Sequence, residues 1–329
     1  GVLEACGCGF DEYVEACAVV MSRVQPWWGG SLVPFVDQAN HAHARPHVEF
    51  RRRGAAVVGR ALRGIAPGEV LQSYGELSTA DCLYRYGFTP SASSSQDVRP
   101  LPGDVVTIGA ELLERAAAET IAAESLASAG GVASRGGAAA HAEAVQRRRP
   151  LLERAGLLEA SPWDGLEDLL GLDLSLASAS PKGRRQGAEG PRKVRGLRKL
   201  ILSARLLLAS DEDVATMASS LASVGIAKGA ALPAFAATAS AVAVARAAVH
   251  LRDAQYPGRT FAEDDHDLSS WAEQSGSSEV GGALLQGALQ LRIVERRILA
   301  ASLAELAALS AVEPSATSGV GDGGAAAAG

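Results

Sequence analysis

Cysteine is scarce in this chain. Four residues, Cys6, Cys8, Cys17 and Cys82, fall irregularly over 329 positions, which argues against a disulfide framework and suits free thiols in a reducing compartment. Aromatic side chains are also few, at 5%, so the 47% hydrophobic content rests on Ala, Leu and Val, the composition of packed helices. No uninterrupted apolar run of about 18 residues occurs, and no membrane span is expected; even residues 232–251 are broken by Thr238, Ser240 and Arg246. A net charge of -6 supplies no general field for phosphates, so nucleic acid is not an expected partner. No internal repeat stands out. The chain opens on Gly1 without a basic start and apolar segment, so no targeting peptide is read, and an upstream piece is expected.

What is present divides in two by texture. Residues 11–23 predict a helix, with Tyr13, Val14, Ala16, Cys17, Val20 and Met21 near helical spacing and Glu12 and Glu15 early in it. Residues 33–36 are short and apolar. Residues 48–51 and 55–59 read as strands separated by Arg53-Gly54, and residues 70–73 as another after the Pro67-Gly68 turn. Residues 79–86 predict a short helix capped by Ser78 or Thr79 and stopped by Gly87. A polar hinge at 91–96 precedes a boundary near 89–103. Beyond it the pattern predicts helices only, at 109–129, 138–158, 193–208, 211–223, 232–254 and 282–310. Residues 172–190, with three glycines and the Lys182, Arg184 and Arg185 run, are expected to be a mobile loop.

Three segments in fixed order carry the chemical signal: Pro34-Phe-Val-Asp37-Gln-Ala-Asn40-His41, then Gly68-Glu-Val-Leu-Gln-Ser73-Tyr74-Gly75, then Tyr86-Gly87-Phe88. Together they resemble the C-terminal half of a SET domain, the fold of many protein lysine methyltransferases. With Ile65-Ala-Pro-Gly68-Glu69-Val and Leu83-Tyr-Arg-Tyr86, and with a helix ending in Ser22-Arg23, the stretch looks like the SET proteins related to Rubisco large-subunit lysine methyltransferase. Downstream, Tyr256-Pro-Gly-Arg-Thr-Phe-Ala-Glu263 and Gly287-Ala-Leu-Gln-Leu-Arg292-Ile-Val-Glu295 resemble the end of that family's helical substrate-binding domain.

The resemblance implies an α+β protein: a partial SET domain of short β-strands over residues 1–92 and an all-α substrate-binding domain over 93–312; the Ala/Gly/Ser-rich residues 313–329 are expected to be a disordered tail. It implies a S-adenosylmethionine-dependent protein-lysine N-methyltransferase, monomeric, acting on a lysine of a recruited plastid or cytosolic enzyme, with chloroplast, cytoplasm or nucleus as compartments. Two alternatives stand beside it: a non-catalytic protein-binding relative and a protein-histidine methyltransferase. By resemblance Asn40 and His41 contact the cofactor, Arg23 and Asp37 face the substrate lysine pocket, and Tyr74 and Tyr86 line it; side-chain chemistry adds Phe88 as a wall of the channel and makes Tyr74 the catalytic candidate. The family's Gly-x-Gly cofactor turn has no counterpart before Gly1, and Trp27 stands where relatives carry a further Arg.

These residue types suit that chemistry. Methyl transfer to an amine rests on positioning more than on acid–base work. The Asn40 amide hydrogen-bonds both as donor and acceptor, matching amino and carboxylate groups together. A phenol such as Tyr74, with an ordinary pKa near 10, orients an amine without trapping it as an ion pair. Aromatic faces at Tyr86 and Phe88 stabilise a cation by roughly 0.5–2 kcal/mol.

Other clusters read more plainly. His41, His43 and His47 suggest zinc, but an extended chain is expected to splay these side chains, no Cys is near in sequence, and no metal is expected. Cys6, Cys8 and Cys17 likewise form no expected metal site. Arg51–Arg53 and Arg147–Arg149 read as solvated faces. Glu263-Asp264-Asp265 reads as the capped start of a helix rather than a calcium loop.

Overall fold

A computed structural model describes residues 7–25, 29–43, 45–68, 70–90, 98–128, 142–160, 170–176, 193–210, 212–213, 238–256, 258, 260–274 and 280–311. In chain order the elements are α1 (Phe10–Arg23), β1 (Asn40–His41), β2 (Val48–Arg53), β3 (Ala56–Ala61), β4 (Leu71–Gln72), α2 (Thr79–Tyr86), β5 (Val106–Gly109), α3 (Ala110–Ser128), α4 (Arg149–Arg154), β6 (Glu159–Ala160), β7 (Leu170–Leu176), β8 (Val194–Arg195), α5 (Leu197–Leu208), α6 (Ala239–Asp253), α7 (Phe261–Gln274) and α8 (Val280–Ala311). The class is α+β, as expected. No described helix is long and apolar enough to cross a membrane.

The chain divides into two units, the first comprising Gly1–Val106, Ser175–Arg192 and Gly258–Ile298, the second the remainder. In the first, α1 starts where the Glu12 carboxylate accepts the Gly9 N–H at 2.8 Å, and it buries no residue. β2 and β3 form an antiparallel hairpin, and β1 pairs in parallel with β4, Asn40 opposite Leu71 and His41 opposite Gln72. Helix α2 has the expected ends. Ser78 Oγ accepts the Asp81 N–H at 2.9 Å while Asp81 accepts the Ser78 N–H at 3.1 Å, and Gly87 at φ 71 turns the chain out through a left-handed conformation that a side chain would strain. Residues 33–36 lead into a turn rather than a strand.

Helix α7 begins where the acidic triplet predicts a helix start. Thr260 opens it, donating through N–H and hydroxyl to Glu263 at 2.5 and 2.9 Å, which is the capping role foreseen for the acidic triplet. Asp264 departs from that reading: it is fully buried, paired with Arg292 and 3.6 Å from Arg296.

The second unit corrects the expectation of helices alone after residue 109. β7 is central in its sheet, with β5 on one side and both β6 and β8 also paired to it. Leu170, Leu172, Leu174 and Leu176 alternate with small or polar residues, the period of a strand, so the supposed mobile loop begins as sheet; residues 177–192 lie outside those described. Gly196, at φ 85, caps α5 beside β7, where a Cβ would stand 2.1 Å from the Asp173 carbonyl oxygen. The helix expected over 138–158 is interrupted by a turn at Arg147-Arg148, and α4 resumes with Pro150 in its first turn. There Arg149 reaches Glu114 at 3.6 Å and Arg148 donates to the Leu207 carbonyl, so this run is not merely a solvated face.

Helices α3, α5 and α6 pack on one another. The core holds Leu113, Ala116, Leu200, Leu206, Leu207, Val244, Ala245, Ala248 and Val249. Alanines on α3 and α6 let the backbones approach, and each fully buried Leu contributes about 1.5–3 kcal/mol. Helix α6 starts at Ala239, capped by Thr238, later than the expected 232. The helix expected at 211–223 and the tail from 313 fall almost entirely outside the described residues.

Candidate functional site

The site assembles in the first unit from the parallel β1–β4 pair, the turn before β1, and the ends of α1 and α2. Buried Gln72 ties the first two together, its amide nitrogen donating to the carbonyls of Val36 at 2.8 Å and Ala39 at 3.2 Å. Backbone bonds extend the clasp: Ala42 N–H to the Gln72 carbonyl at 2.8 Å and His47 N–H to the Leu71 carbonyl at 2.7 Å. His47 Nδ1 accepts the Leu71 N–H at 3.1 Å. This histidine has a structural task in the β1–β4 pair.

Residues 37, 41, 74, 86 and 88, distant in sequence, converge on this clasp. His41 Nδ1 accepts the Tyr74 N–H at 2.9 Å, and the Tyr74 hydroxyl donates to the Ala39 carbonyl at 2.9 Å. The rings of His41 and Tyr74 lie 5.1 Å apart, Tyr74 and Tyr86 4.8 Å, and Phe88 stands 6.1 Å from both His41 and Tyr86. Arg23, at the end of α1, donates to the Asp37 main-chain carbonyl at 2.5 Å. Its charge reaches Tyr74, where it opposes part of the rise in the phenol's pKa. Asn40 leads into His41 along β1 and is exposed.

Bond by bond, this geometry fixes protonation. With Nδ1 accepting a backbone N–H, neutral His41 carries its proton on Nε2. Burial, reinforced by His43, lowers the His41 pKa to about 4, so the ring is neutral near pH 7. Both that Nε2–H and Asp37 Oδ1 are buried, and among the described residues the first meets no acceptor and the second no donor. Burial also raises the pKa of both Tyr74 and Tyr86 above the ordinary 10. The Tyr74 hydrogen is committed to Ala39, which leaves the oxygen lone pairs to accept from a further donor.

Two features were not legible beforehand. The His41 and His43 rings meet edge to face at 4.2 Å rather than splaying apart, and His43 Nε2 lies 3.6 Å from the buried Cys82 thiol. Burial pushes that thiol up to about 12 and pulls His43 down, so the pair is neutral near pH 7. Cys82 is 39 residues from His43, and no local pattern signals their meeting. Asp104, 3% exposed, accepts from Thr79 N–H at 2.5 Å, Thr79 hydroxyl at 3.0 Å and Leu101 N–H at 2.6 Å, anchoring the start of α2. Among the described residues no group of three or more His, Cys, Asp or Glu is placed to hold a metal ion.

The orphaned His41 Nε2–H and Asp37 Oδ1 are the test of whether a ligand such as S-adenosylmethionine fits. One is a neutral donor for a carbonyl, carboxylate or ring nitrogen; the other is an acceptor for an amine or ammonium. Each atom is matched by a ligand group of the opposite hydrogen-bonding sense. No protein-family model matches the chain, and no curated protein matches it significantly.

Proposed function

We propose that this chain is a S-adenosylmethionine-dependent protein-lysine N-methyltransferase of the SET type, with the aromatic cluster around Tyr74 as its reaction centre. The observation that carries the reading is the convergence of His41, Tyr74, Tyr86 and Phe88 on one clasp with two buried, unpaired polar atoms of opposite hydrogen-bonding sense. Two of the residues that carry the resemblance, His41 and Asp37, have unmet bonding capacity.

In this reading Asn40 and His41 hold the cofactor, His41 through its Nε2–H. When bound, S-adenosylmethionine supplies an electrophilic methyl group on a sulfonium sulfur. Asp37 and Arg23 border the entry of the lysine, with Tyr86 and Phe88 as walls. Tyr74 does not act as a base, because burial holds its phenol above the ordinary range. Its oxygen accepts a hydrogen from the incoming amine and so aims the nitrogen lone pair, while its own hydrogen stays on the Ala39 carbonyl. Positioning of this kind is the main source of rate in such a transfer.

The test is mass spectrometry of lysine-bearing peptides incubated with the protein and S-adenosylmethionine. Methylation at lysine is expected, and Tyr74→Phe is expected to cut turnover by roughly tenfold or more while leaving cofactor affinity nearly unchanged. Equal turnover by Tyr74→Phe removes Tyr74 from the centre, and methylation confined to histidine replaces the lysine reading.

A further inference from the structure

The β2–β3 hairpin concentrates charge of one sign. Between residues 45 and 63 stand Arg45, Arg51, Arg52, Arg53, Arg60 and Arg63 against the single carboxylate of Glu49, in a chain whose net charge is -6. All six arginines are exposed. The register assigns them to faces: Glu49 opposes Arg60, Arg51 opposes Val58 and Arg53 opposes Ala56, so Arg51, Arg53 and Arg60 share one face with Glu49. Glu49 is bonded by Arg51 at 2.8 Å and by Arg60 at 3.0 Å, which holds its carboxyl below the usual range. One carboxylate is spread over two guanidiniums, and Arg53 adds a third on the same face.

The hairpin also presents an edge. Among the described residues β3 pairs with β2 alone, and all six of its residues are exposed, Val57 at 37% and Val58 at 44%. Its outer side therefore carries a row of main-chain N–H and C=O groups, the template on which an extended peptide adds as a strand.

From the free edge and the surplus of guanidinium charge, we propose that β3 docks an extended acidic segment of a partner protein. The segment adds to β3 as a further strand and turns its carboxylates toward Arg51, Arg53 and Arg60. Charge decides against a second copy of this chain, because edge-to-edge pairing of two hairpins sets arginines against arginines. Hydrogen-bond chemistry decides against nucleic acid: a phosphodiester backbone only accepts, whereas a strand edge needs donors for its carbonyls as well. Guanidinium forks match carboxylates two bonds at a time, so the pairing selects for Asp and Glu and not only for negative charge. The surface is separate from the Tyr74 cluster, and the proposal stands whether or not that cluster transfers methyl groups.

The test is fluorescence anisotropy with a labelled hexapeptide alternating Glu and Val, using the whole protein. Saturable binding that weakens with salt is expected. Arg51→Glu combined with Arg53→Glu is expected to weaken it by roughly tenfold or more, and N-methylation of alternate peptide nitrogens to do the same through the main chain. The N-methylated peptide needs no protein variant and so reports even if the double substitution unfolds the hairpin. The proposal is overturned if the hexapeptide fails to bind, if neither change weakens binding, if a Lys–Val hexapeptide binds equally well, or if an oligonucleotide of matched charge binds more tightly. Self-association through the hairpin in sedimentation, abolished by the same arginine changes, also overturns it.

Discussion

Residues 7–106 and the helical core of the second unit solve the problem of holding a chain in place by different means. In the second unit Leu113, Leu152, Leu174, Leu200, Leu206 and Leu207 are almost wholly removed from water. Among the described residues, none of the largest fully buried side chains comes from 7–106. There Phe10, Val19, Val20, Met21, Leu32 and Phe35 are exposed, while Gln25, Gln72, Ser78, Thr79 and Asp104 are buried. The core rests on non-directional apolar burial, which tolerates small shifts; the site rests on hydrogen bonds, which set atoms in place.

This contrast can be broken by substitution. Leu206→Ala in α5 is expected to cost about 2–5 kcal/mol, because a filled, rigid site becomes a cavity; a thermal or denaturant midpoint reads this directly. Gln72→Leu keeps the volume but strands the Val36 and Ala39 carbonyls, at roughly 1–3 kcal/mol, and it is expected to lower site function more than its stability effect explains. Ser78→Ala removes the cap of α2 for about 1 kcal/mol. Val20→Ser on the exposed side of α1 is expected within about 0.5 kcal/mol of the parent. A cost there as large as that of Leu206→Ala would mean that α1 is packed after all.

Acid sharpens the comparison. Unfolded His41 takes its proton near the ordinary 6.5, whereas the folded ring holds it off until about 4. Between those values the unfolded state binds more protons, so this contribution to stability is complete above 6.5 and is lost as pH falls toward 4. His43, also lowered by burial, acts in the same sense. His41→Gln is expected to flatten the fall in melting temperature between pH 7 and 5; an unchanged slope removes His41 as its source.

What was legible in the sequence follows the range of the signal. The ends of α2 were readable because Ser78, Asp81 and Gly87 act within a few residues of one another. The strands of the 48–61 hairpin were readable, as 48–51 and 55–59, on either side of Arg53-Gly54. β7 was not, because residues 172–190 read as a glycine-rich mobile loop, and the period of two in the leucines at 170, 172, 174 and 176 spans only seven residues. The site residues were nameable only by resemblance. What sequence leaves unwritten is pairing across distance: Gln72 with Val36, His43 with Cys82, Asp104 with Thr79. Each depends on the parallel β1–β4 clasp or the anchoring of α2, which no local period encodes.

The most direct measurement of the central claim is calorimetric titration of S-adenosylmethionine into the parent protein and into Asn40→Ala and His41→Ala. Saturable binding by the parent, weakened roughly tenfold or more in each variant, is the result expected if the unpaired His41 Nε2–H and its neighbour hold the cofactor. Absence of binding by the parent, or equal affinity in all three, contradicts the reading of this cluster as a methyltransferase site.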